Sequence, residues 1–305
     1  MPESSLTDLQ INGFVGIDFS DPALTTELLE KTVTAIVDSG TKYFLATIIT
    51  SATEVYPRNL NLLADFIKNH PLGKHMLGIH LEGPFLSPQE GARGAHNPKW
   101  MQDPDSRLLE QWQRQADGKI RIMTMAAELK GAAEFCKNAV EMGIRISMGH
   151  QMASQKEVRN LMASGASAVT HFGNGLPKMI DRHQNPLWTY LAEPNLKAMI
   201  ITDGHHITSD MIKTVVAAKG VDNVIAVSDA APIAGMPPGR YHTLGNEAIL
   251  REDGLLYNPN TGYMVGSSAS LSKCRDHLLS IGFSDSDAEK MTVKNPLQYL
   301  DLDIE

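Results

Sequence analysis

The sequence predicts an α/β fold, a (β/α)8 barrel, from two observations. Eight short, apolar, strand-like segments alternate with helical segments along most of the 305 residues. Several helical segments also end in a glycine just before the next strand, at Gly40, Gly143, Gly165 and Gly220, where a left-handed residue commonly terminates a helix. Eight such units in about 250 residues fit a barrel. The alternative is a doubly wound open sheet, which we disfavour because no GxGxxG motif follows the first strand.

The predicted strands are almost wholly apolar, as expected for parallel strands that are covered on both faces. They span residues 8–12, 43–49, 77–82, 121–126, 144–149, 166–170, 197–202 and 224–229. Among the helices between them, the segment 27–40 places its apolar side chains on one face, and Ser154 with Glu157 has the spacing of a capping box. No linker-like segment interrupts the pattern, so we expect residues 1–305 to form a single barrel domain.

Composition excludes several classes of protein. The chain is 42% hydrophobic and 20% charged, with a formal charge of −8 and no cluster of Lys or Arg, so we expect neither nucleic-acid nor membrane binding. No apolar stretch approaches the ~18 residues of a membrane span, and the N-terminal residues lack a targeting pattern. Cys136 and Cys274 are expected to be reduced core thiols. A cytoplasmic protein is the expectation.

The polar residues at the predicted strand ends are the candidates for chemistry, because barrel enzymes place their active sites at the carboxyl ends of the strands. These residues are Gln10, Asn12, His80, Glu82, His150, His171, Asp203, His205, His206 and Asp229. Strand alternation puts His80 and Glu82 on one face of the third strand, with His80 one pleat deeper and better placed to support a site than to bind a ligand.

Each of these residues taken singly has an ordinary structural explanation. His150 or His171 alone is typical of a half-buried, hydrogen-bonded histidine, and Asp229 alone is typical of a helix N-cap. In a closed barrel, four strand ends would bring together a glutamate, two histidines and an aspartate. The ordinary explanation of each residue does not account for this combination. Two imidazoles and a carboxylate are a common catalytic zinc set.

Short motifs follow one another in a recognisable order: HLEGPF (80–85), GAHNP (94–98), MGH (148–150), THFGNGLP (170–177), DGHH (203–206), VSDA (227–230) and GSS (266–268). With DLQINGFVGIDFSD at 8–21, the series resembles the N-acetylglucosamine-6-phosphate deacetylases of the amidohydrolase superfamily. The resemblance covers nearly the whole chain. It implies a metal-dependent (β/α)8 TIM barrel of the amidohydrolase type. The implied reaction converts N-acetylglucosamine 6-phosphate and water to glucosamine 6-phosphate and acetate.

The resemblance also implies a cofactor. Glu82, His150 and His171 match the family's metal ligands. Many members of the superfamily bind a second metal through an HxH motif on the first strand, and here Gln10 and Asn12 stand at that position and leave it vacant. Because amides are poor zinc ligands, we expect one divalent ion, zinc by preference and iron(II) as the alternative.

Asp229 matches the family's catalytic aspartate, and His206, rather than its neighbour His205, matches a histidine that binds the substrate and stabilises the reacting carbonyl. Further positions match contacts to the sugar or its phosphate. With His206, the implied substrate-binding residues are His96, Asn174, Gly175 and Arg182. We assign no role to Lys178 or His183.

Two departures from the family pattern bear on the substrate and the domains. The segment FGNGLPKMIDRHQNP (172–186) differs from the usual NAMPP-like sequence. The resemblance therefore does not determine which residues contact the phosphate or which sugar is the substrate. Family members also carry a small β-sandwich, whereas this chain starts almost at the first barrel strand and stops at NPLQYLDLDIE. We therefore expect no separate sandwich domain.

Three functional hypotheses remain. The first is deacetylation of the phosphorylated amino sugar, and the second is deacetylation of a different or unphosphorylated N-acyl amino sugar. The third is a sugar-binding barrel without catalysis, which the retained Glu82, His150, His171 and Asp229 disfavour. The resemblance further implies a homodimer in which a neighbouring subunit supplies phosphate contacts.

Overall fold

Eight parallel strands form a barrel in the computed structural model, which describes residues 5–303. The barrel strands are β1 (Leu6–Ile11), β4 (Thr41–Ile49), β5 (Met76–Glu82), β6 (Ile120–Met125), β7 (Arg145–Met148), β8 (Ala168–Val169), β9 (Lys197–Ile201) and β10 (Val224–Val227). They pair in chain order. A parallel bridge between Ile11 and Ala230 joins the last strand to the first, and the N–H of Asn12 donates to the Ala230 carbonyl oxygen at 2.9 Å. The predicted barrel is thus confirmed, and the open sheet is excluded.

Helices connect the strands and cover the outside of the barrel. They are α1 (Thr26–Asp38), α2 (Val55–Asn69), α3 (Ser106–Gln115), α4 (Ala132–Glu141), α5 (Gln155–Ala163), α6 (Pro186–Ala192), α7 (Ser209–Lys219), α8 (Leu271–Ser280), α9 (Asp285–Glu289) and α10 (Asn295–Tyr299). Ser154 and Glu157 form the predicted capping box at the start of α5. No helix among residues 5–303 has both the length and the apolar character needed to cross a membrane.

The end of the chain covers the amino ends of the barrel strands. Tyr299 and Leu300 pack with buried strand residues such as Leu45 and Ile225. Arg121, near the start of β6, donates to the carbonyl oxygen of Leu300 at 2.6 Å. This apolar floor leaves the opposite, carboxyl end of the barrel as the place where polar side chains collect.

The sequence analysis missed two small antiparallel sheets. One is a hairpin of β2 (Gly13–Phe14) and β3 (Ile17–Asp18), and the other contains β11 (Gly239–Thr243), β12 (Asn246–Leu250) and β13 (Leu256–Tyr257). The β11 strand carries polar residues and is half exposed, so its composition does not stand out from a loop. The β11–β13 sheet lies between β10 and α8 in the chain, and the loops that flank β12 and β13 help to form the mouth of the barrel.

Candidate active site

Four strand ends bring together the residues that the sequence singled out. Glu82 is the last residue of β5, and His150, His171 and Asp229 each come two residues after a strand, following β7, β8 and β10. All four side chains are buried. The last three have positive φ angles of 49°, 33° and 51°, a region that costs residues other than glycine roughly 1–2 kcal/mol. The fold therefore holds three of these four residues in strained backbone conformations.

The ligand atoms of Glu82, His150 and His171 surround one point. They all lie within 4.8 Å of one another. Oε1 of Glu82 is 2.9 Å from Nε2 of His171 and 3.3 Å from Nε2 of His150, and the two Nε2 atoms are 2.9 Å apart. Ligands bound at 2.0–2.1 Å to a tetrahedral ion lie about 3.3 Å apart, so the spacing fits a single small cation.

Hydrogen bonding prepares His150 to act as a ligand. Its Nδ1 lies 2.8 Å from the carbonyl oxygen of Ala92, which can only accept, so Nδ1 carries the proton and Nε2 keeps its lone pair. The loops on both sides approach this ring closely: a Cβ atom at Gly94 would lie 2.9 Å from Cε1, and one at Gly175 would lie 3.0 Å from Nδ1. With two nitrogens and one carboxylate oxygen, the residues present fit a zinc-like cation.

The electrostatics of the site separate its two carboxylates. Burial acts to raise the pKa of Glu82, but the neighbouring His150 and His171 rings outweigh it and hold this pKa well below its ordinary value. Burial, together with the negative charge of Glu82, raises the pKa of Asp229 to about 6. Glu82 is thus kept as an anion that can bind a cation, whereas Asp229 can exchange a proton near neutral pH.

Gln10 and Asn12, at the position expected for a second metal, bind these carboxylates. Nε2 of Gln10 donates to Oε1 of Glu82 at 2.9 Å and to Oδ1 of Asp229 at 3.0 Å. Nδ2 of Asn12 donates to the same Oδ1 at 2.7 Å. The Gln10 amide therefore bridges two carboxylates that otherwise repel each other, and Asn12 adds a second donor that orients Asp229.

His206 is held by an aspartate whose role the sequence analysis missed. Its Nδ1 donates to Oδ2 of Asp203 at 2.8 Å, and the hydroxyl of Ser267 donates to the same oxygen at 2.8 Å. Burial acts to raise the pKa of Asp203, but His206 outweighs it and keeps this pKa well below the ordinary value. His205 points elsewhere, with Nε2 at 3.0 Å from the carbonyl oxygen of Asp253. The DGHH motif gave the only signal for this pair.

His96 lies against the ligand group. Its Nε2 is 3.2 Å from Nε2 of His150 and 3.8 Å from Oε2 of Glu82, and its Nδ1 is 3.0 Å from the Thr50 hydroxyl. Burial and the neighbouring His150 lower the pKa of His96 to about 3. The side chain is therefore a neutral hydrogen-bonding group beside the site.

His80 lies deeper, as expected from strand alternation. Its two ring nitrogens contact the Leu9 carbonyl oxygen at 3.1 Å and the Thr124 hydroxyl at 2.8 Å, and burial lowers its pKa to about 4. With both nitrogens engaged, His80 supports the barrel interior and does not reach the ligand group.

A cavity of about 410 Å³ opens over this group. Among the residues expected at the substrate, Asn174, Gly175, His96 and His206 line it. Arg182 does not: it is exposed, and its Nε donates to the neighbouring His183 at 3.1 Å. Lys178, to which the sequence analysis gave no role, lines the cavity instead.

The fold and this set of side chains define a metal-dependent hydrolase of the amidohydrolase type. No protein-family model matches the chain. It is 31% identical to the N-acetylglucosamine-6-phosphate deacetylase of Bos taurus over 97% of this chain and 73% of that one. It is 26% identical to the N-acetylgalactosamine-6-phosphate deacetylase of Escherichia coli O157:H7, over 97% and 77%.

A solved structure agrees with these relatives. A mutant N-acetyl-D-glucosamine-6-phosphate deacetylase from Mycobacterium smegmatis, in complex with N-acetyl-D-glucosamine-6-phosphate, superposes with a TM-score of 0.89 at 26% identity, covering 98% of this chain and 77% of that one. The chain belongs to the N-acetylglucosamine-6-phosphate deacetylase family.

Proposed function

We propose that this chain hydrolyses the acetamide of N-acetylglucosamine 6-phosphate to give glucosamine 6-phosphate and acetate. The observation that carries the proposal is the meeting of Glu82, His150 and His171 with Asp229 at four strand ends, in a member of this family. A relative named for this reaction is 31% identical to the chain over 97% of the chain's length.

We propose zinc as the cofactor, with iron(II) as the alternative, bound by Glu82, His150 and His171. When bound, such a cation supplies Lewis acidity to the acetamide carbonyl and acidifies water. The two imidazoles and one carboxylate suit either ion. Elemental analysis of the purified protein, with His171→Ala as the comparison, measures which metal is held and whether these residues hold it.

Asp229 is the proposed general acid and base. Its Oδ1 accepts from Gln10 and Asn12, whereas Oδ2 accepts no hydrogen bond from the part of the chain that the structure describes. Oδ2 is therefore available to take a proton from the attacking water and to return it to the departing amine. A pKa raised to about 6 suits both steps near neutral pH. An amide needs this second step because an amine anion is a poor leaving group.

His206 is the proposed donor to the reacting carbonyl. Asp203 accepts from its Nδ1 and so fixes the ring, which lines the cavity. Its Nε2 makes no hydrogen bond to any residue between 5 and 303. When this atom carries a proton, it can donate to the carbonyl oxygen as negative charge develops there.

Acetate release from three sugars tests the proposal. We expect N-acetylglucosamine 6-phosphate to react with the highest kcat/KM, well above N-acetylglucosamine. An equal kcat/KM on these two sugars would show that the enzyme does not recognise the phosphate. The third sugar is N-acetylgalactosamine 6-phosphate, because the Escherichia coli relative is named for it. A higher kcat/KM on this sugar than on N-acetylglucosamine 6-phosphate would make it the substrate in place of the one proposed.

Two further expectations belong to the proposal. We propose that residues 1–305 act as one barrel domain and that the protein is a homodimer, which light scattering after size-exclusion chromatography measures. The non-catalytic alternative predicts sugar binding without acetate release from any of the three sugars, even after loading with zinc or iron(II).

A further inference from the structure

We propose that Lys178 supplies the positive charge that binds the substrate phosphate, from the same chain that carries the ligand group. This inference rests on the proposed function, because it names the residue that recognises the phosphate in that same cavity. It goes beyond the family resemblance, which points to Arg182 and gives no role to Lys178.

The first support is the position of Lys178. It lines the cavity that contains Glu82 and Asp229, and among residues 5–303 no other Lys or Arg does so. It makes no ion pair with any residue that the structure describes. An anionic group that enters the cavity meets two carboxylates near the strand ends and one fixed cation at Lys178. The charge of the cavity therefore orients a phosphorylated sugar with its phosphate towards Lys178.

The second support is a contact that holds the lysine in place. Its Nζ lies 4.7 Å from the centroid of the Tyr263 ring, and Tyr263 lines the same cavity. A cation over an aromatic face at an exposed site gains about 0.5–1 kcal/mol. This energy is enough to restrict the Lys178 side chain, and it is too small to prevent the lysine from binding a phosphate.

The third support is a group of backbone donors beside the lysine, on the two sides of Pro177, which has no N–H. The N–H groups of Gly175, Leu176 and Lys178 make no hydrogen bond to other residues in the described range 5–303, and all three residues line the cavity. Gly175 has a φ of +62°. Successive backbone N–H groups near a left-handed residue are a common way to bind phosphate oxygens, and a lysine adds the charge that such donors lack.

Arg182, by contrast, is occupied outside the cavity. Its Nε donates to His183, and its carbonyl oxygen accepts from Nε1 of Trp188 at 2.7 Å. The chain between Lys178 and Arg182 also carries the exposed Met179. Within one chain, therefore, the segment 178–182 places its lysine in the cavity and its arginine on the outer surface.

Calorimetric binding of glucosamine 6-phosphate and of glucosamine to the metal-loaded protein tests the inference without relying on turnover. We expect the wild-type protein to bind the phosphorylated sugar at least about tenfold more tightly. Lys178→Met should lose most of this preference, and Lys178→Arg should keep most of it. Lys156→Met, which removes one exposed charge from α5 outside the cavity, should keep all of it.

Several outcomes overturn the inference. They are a full preference in Lys178→Met, and a wild-type protein that binds the two sugars equally or binds neither. The proposed function is decided separately by acetate release. If the wild-type protein prefers the phosphorylated sugar through Lys178 but releases no acetate, the phosphate site stands and the deacetylase proposal fails.

Discussion

Gln10 and Asn12 show how amide side chains can replace charge in a site that holds two carboxylates. Between them they donate three hydrogen bonds to Glu82 and Asp229, all in the buried interior. The pair was expected only to leave a metal position vacant. The contacts show a second effect, which is to keep two like charges oriented at short range without a second cation.

Gln10→Met tests this effect with a side chain of similar length. We expect kcat to fall at least about tenfold, because Asp229 loses one of its two donors and faces Glu82 without the bridging amide. Bound metal should stay near the wild-type amount. Steady-state kinetics and elemental analysis measure both, with the exposed Gln102→Met as the control. An unchanged kcat would show that the amide merely fills space.

Asp229→Asn separates proton transfer from metal binding. The amide keeps the size of the side chain but cannot take a proton from water, so kcat should fall by a factor of ~10²–10⁴. Metal content should be unchanged, because Asp229 is outside the ligand group. Wild-type turnover in a metal-loaded Asn variant would contradict the assigned role.

Among the secondary-structure elements, the barrel strands were the easiest to predict. All eight barrel strands overlap the predicted ones, because buried parallel strands are short apolar runs and helix-ending glycines mark where they begin. The strand-end list then reached Glu82, His150, His171 and Asp229 from the pattern alone. In a closed barrel, residues that end successive strands lie close together, even when they are far apart in the sequence.

Contacts between distant loops could not be predicted in this way. The Asp203–His206 pair is stabilised by Ser267, which lies 64 residues further along the chain. The proton of His150 is fixed by the carbonyl oxygen of Ala92, 58 residues away. Neither contact could be read from the sequence, since any residue offers a carbonyl oxygen and the GSS motif does not indicate which residue Ser267 contacts. The placement of Lys178 inside the cavity and Arg182 outside it also depends on the path of one loop.

The junction between β1 and β10 contains a buried acid. Oδ1 of Asp8 accepts from the N–H groups of Gln10 and Ser228, each at 3.2 Å. Burial is the main cause that raises the pKa of Asp8 from 3.8 to about 7. Between these pH values the folded protein holds a proton that the unfolded chain releases. This residue therefore makes stability fall as the pH rises from about 4 to 7.

Asp8→Asn should remove that dependence, because the amide cannot ionise while its oxygen still accepts from both N–H groups. Relative to the wild-type protein, the variant should gain stability from pH 4 to pH 8. Urea unfolding at several pH values, with the exposed Asp38→Asn as the control, measures the difference. A constant difference across this range would mean that Asp8 has an ordinary pKa in the folded protein.

For the molecule as a whole, the proposed metal joins strands that are far apart in sequence. Its ligands lie at the carboxyl ends of β5, β7 and β8, so a bound ion should favour the folded barrel over the unfolded chain. At a free metal concentration of 100 times the dissociation constant, the gain is about 2.7 kcal/mol. We expect a chelator to lower the melting temperature of the wild-type protein by several degrees, and zinc to restore it.

Glu82→Gln provides the matched control for this melting experiment. The variant keeps the size of the side chain but loses the charge that pairs with the cation, so its melting temperature should respond weakly to chelator and zinc. A wild-type melting temperature that does not change with either reagent would argue against a structural contribution from the metal.

The strained backbones of His150, His171 and Asp229 limit how this enzyme can adapt to heat. Glycine fits such φ angles better, so Asp229→Gly should unfold at a higher temperature than Asp229→Ala, by roughly 1 kcal/mol in stability, and calorimetry on the two inactive variants measures this. A lineage growing at higher temperature could not use that gain without losing its chemistry. This source of thermal stability is therefore closed to the barrel at these three positions.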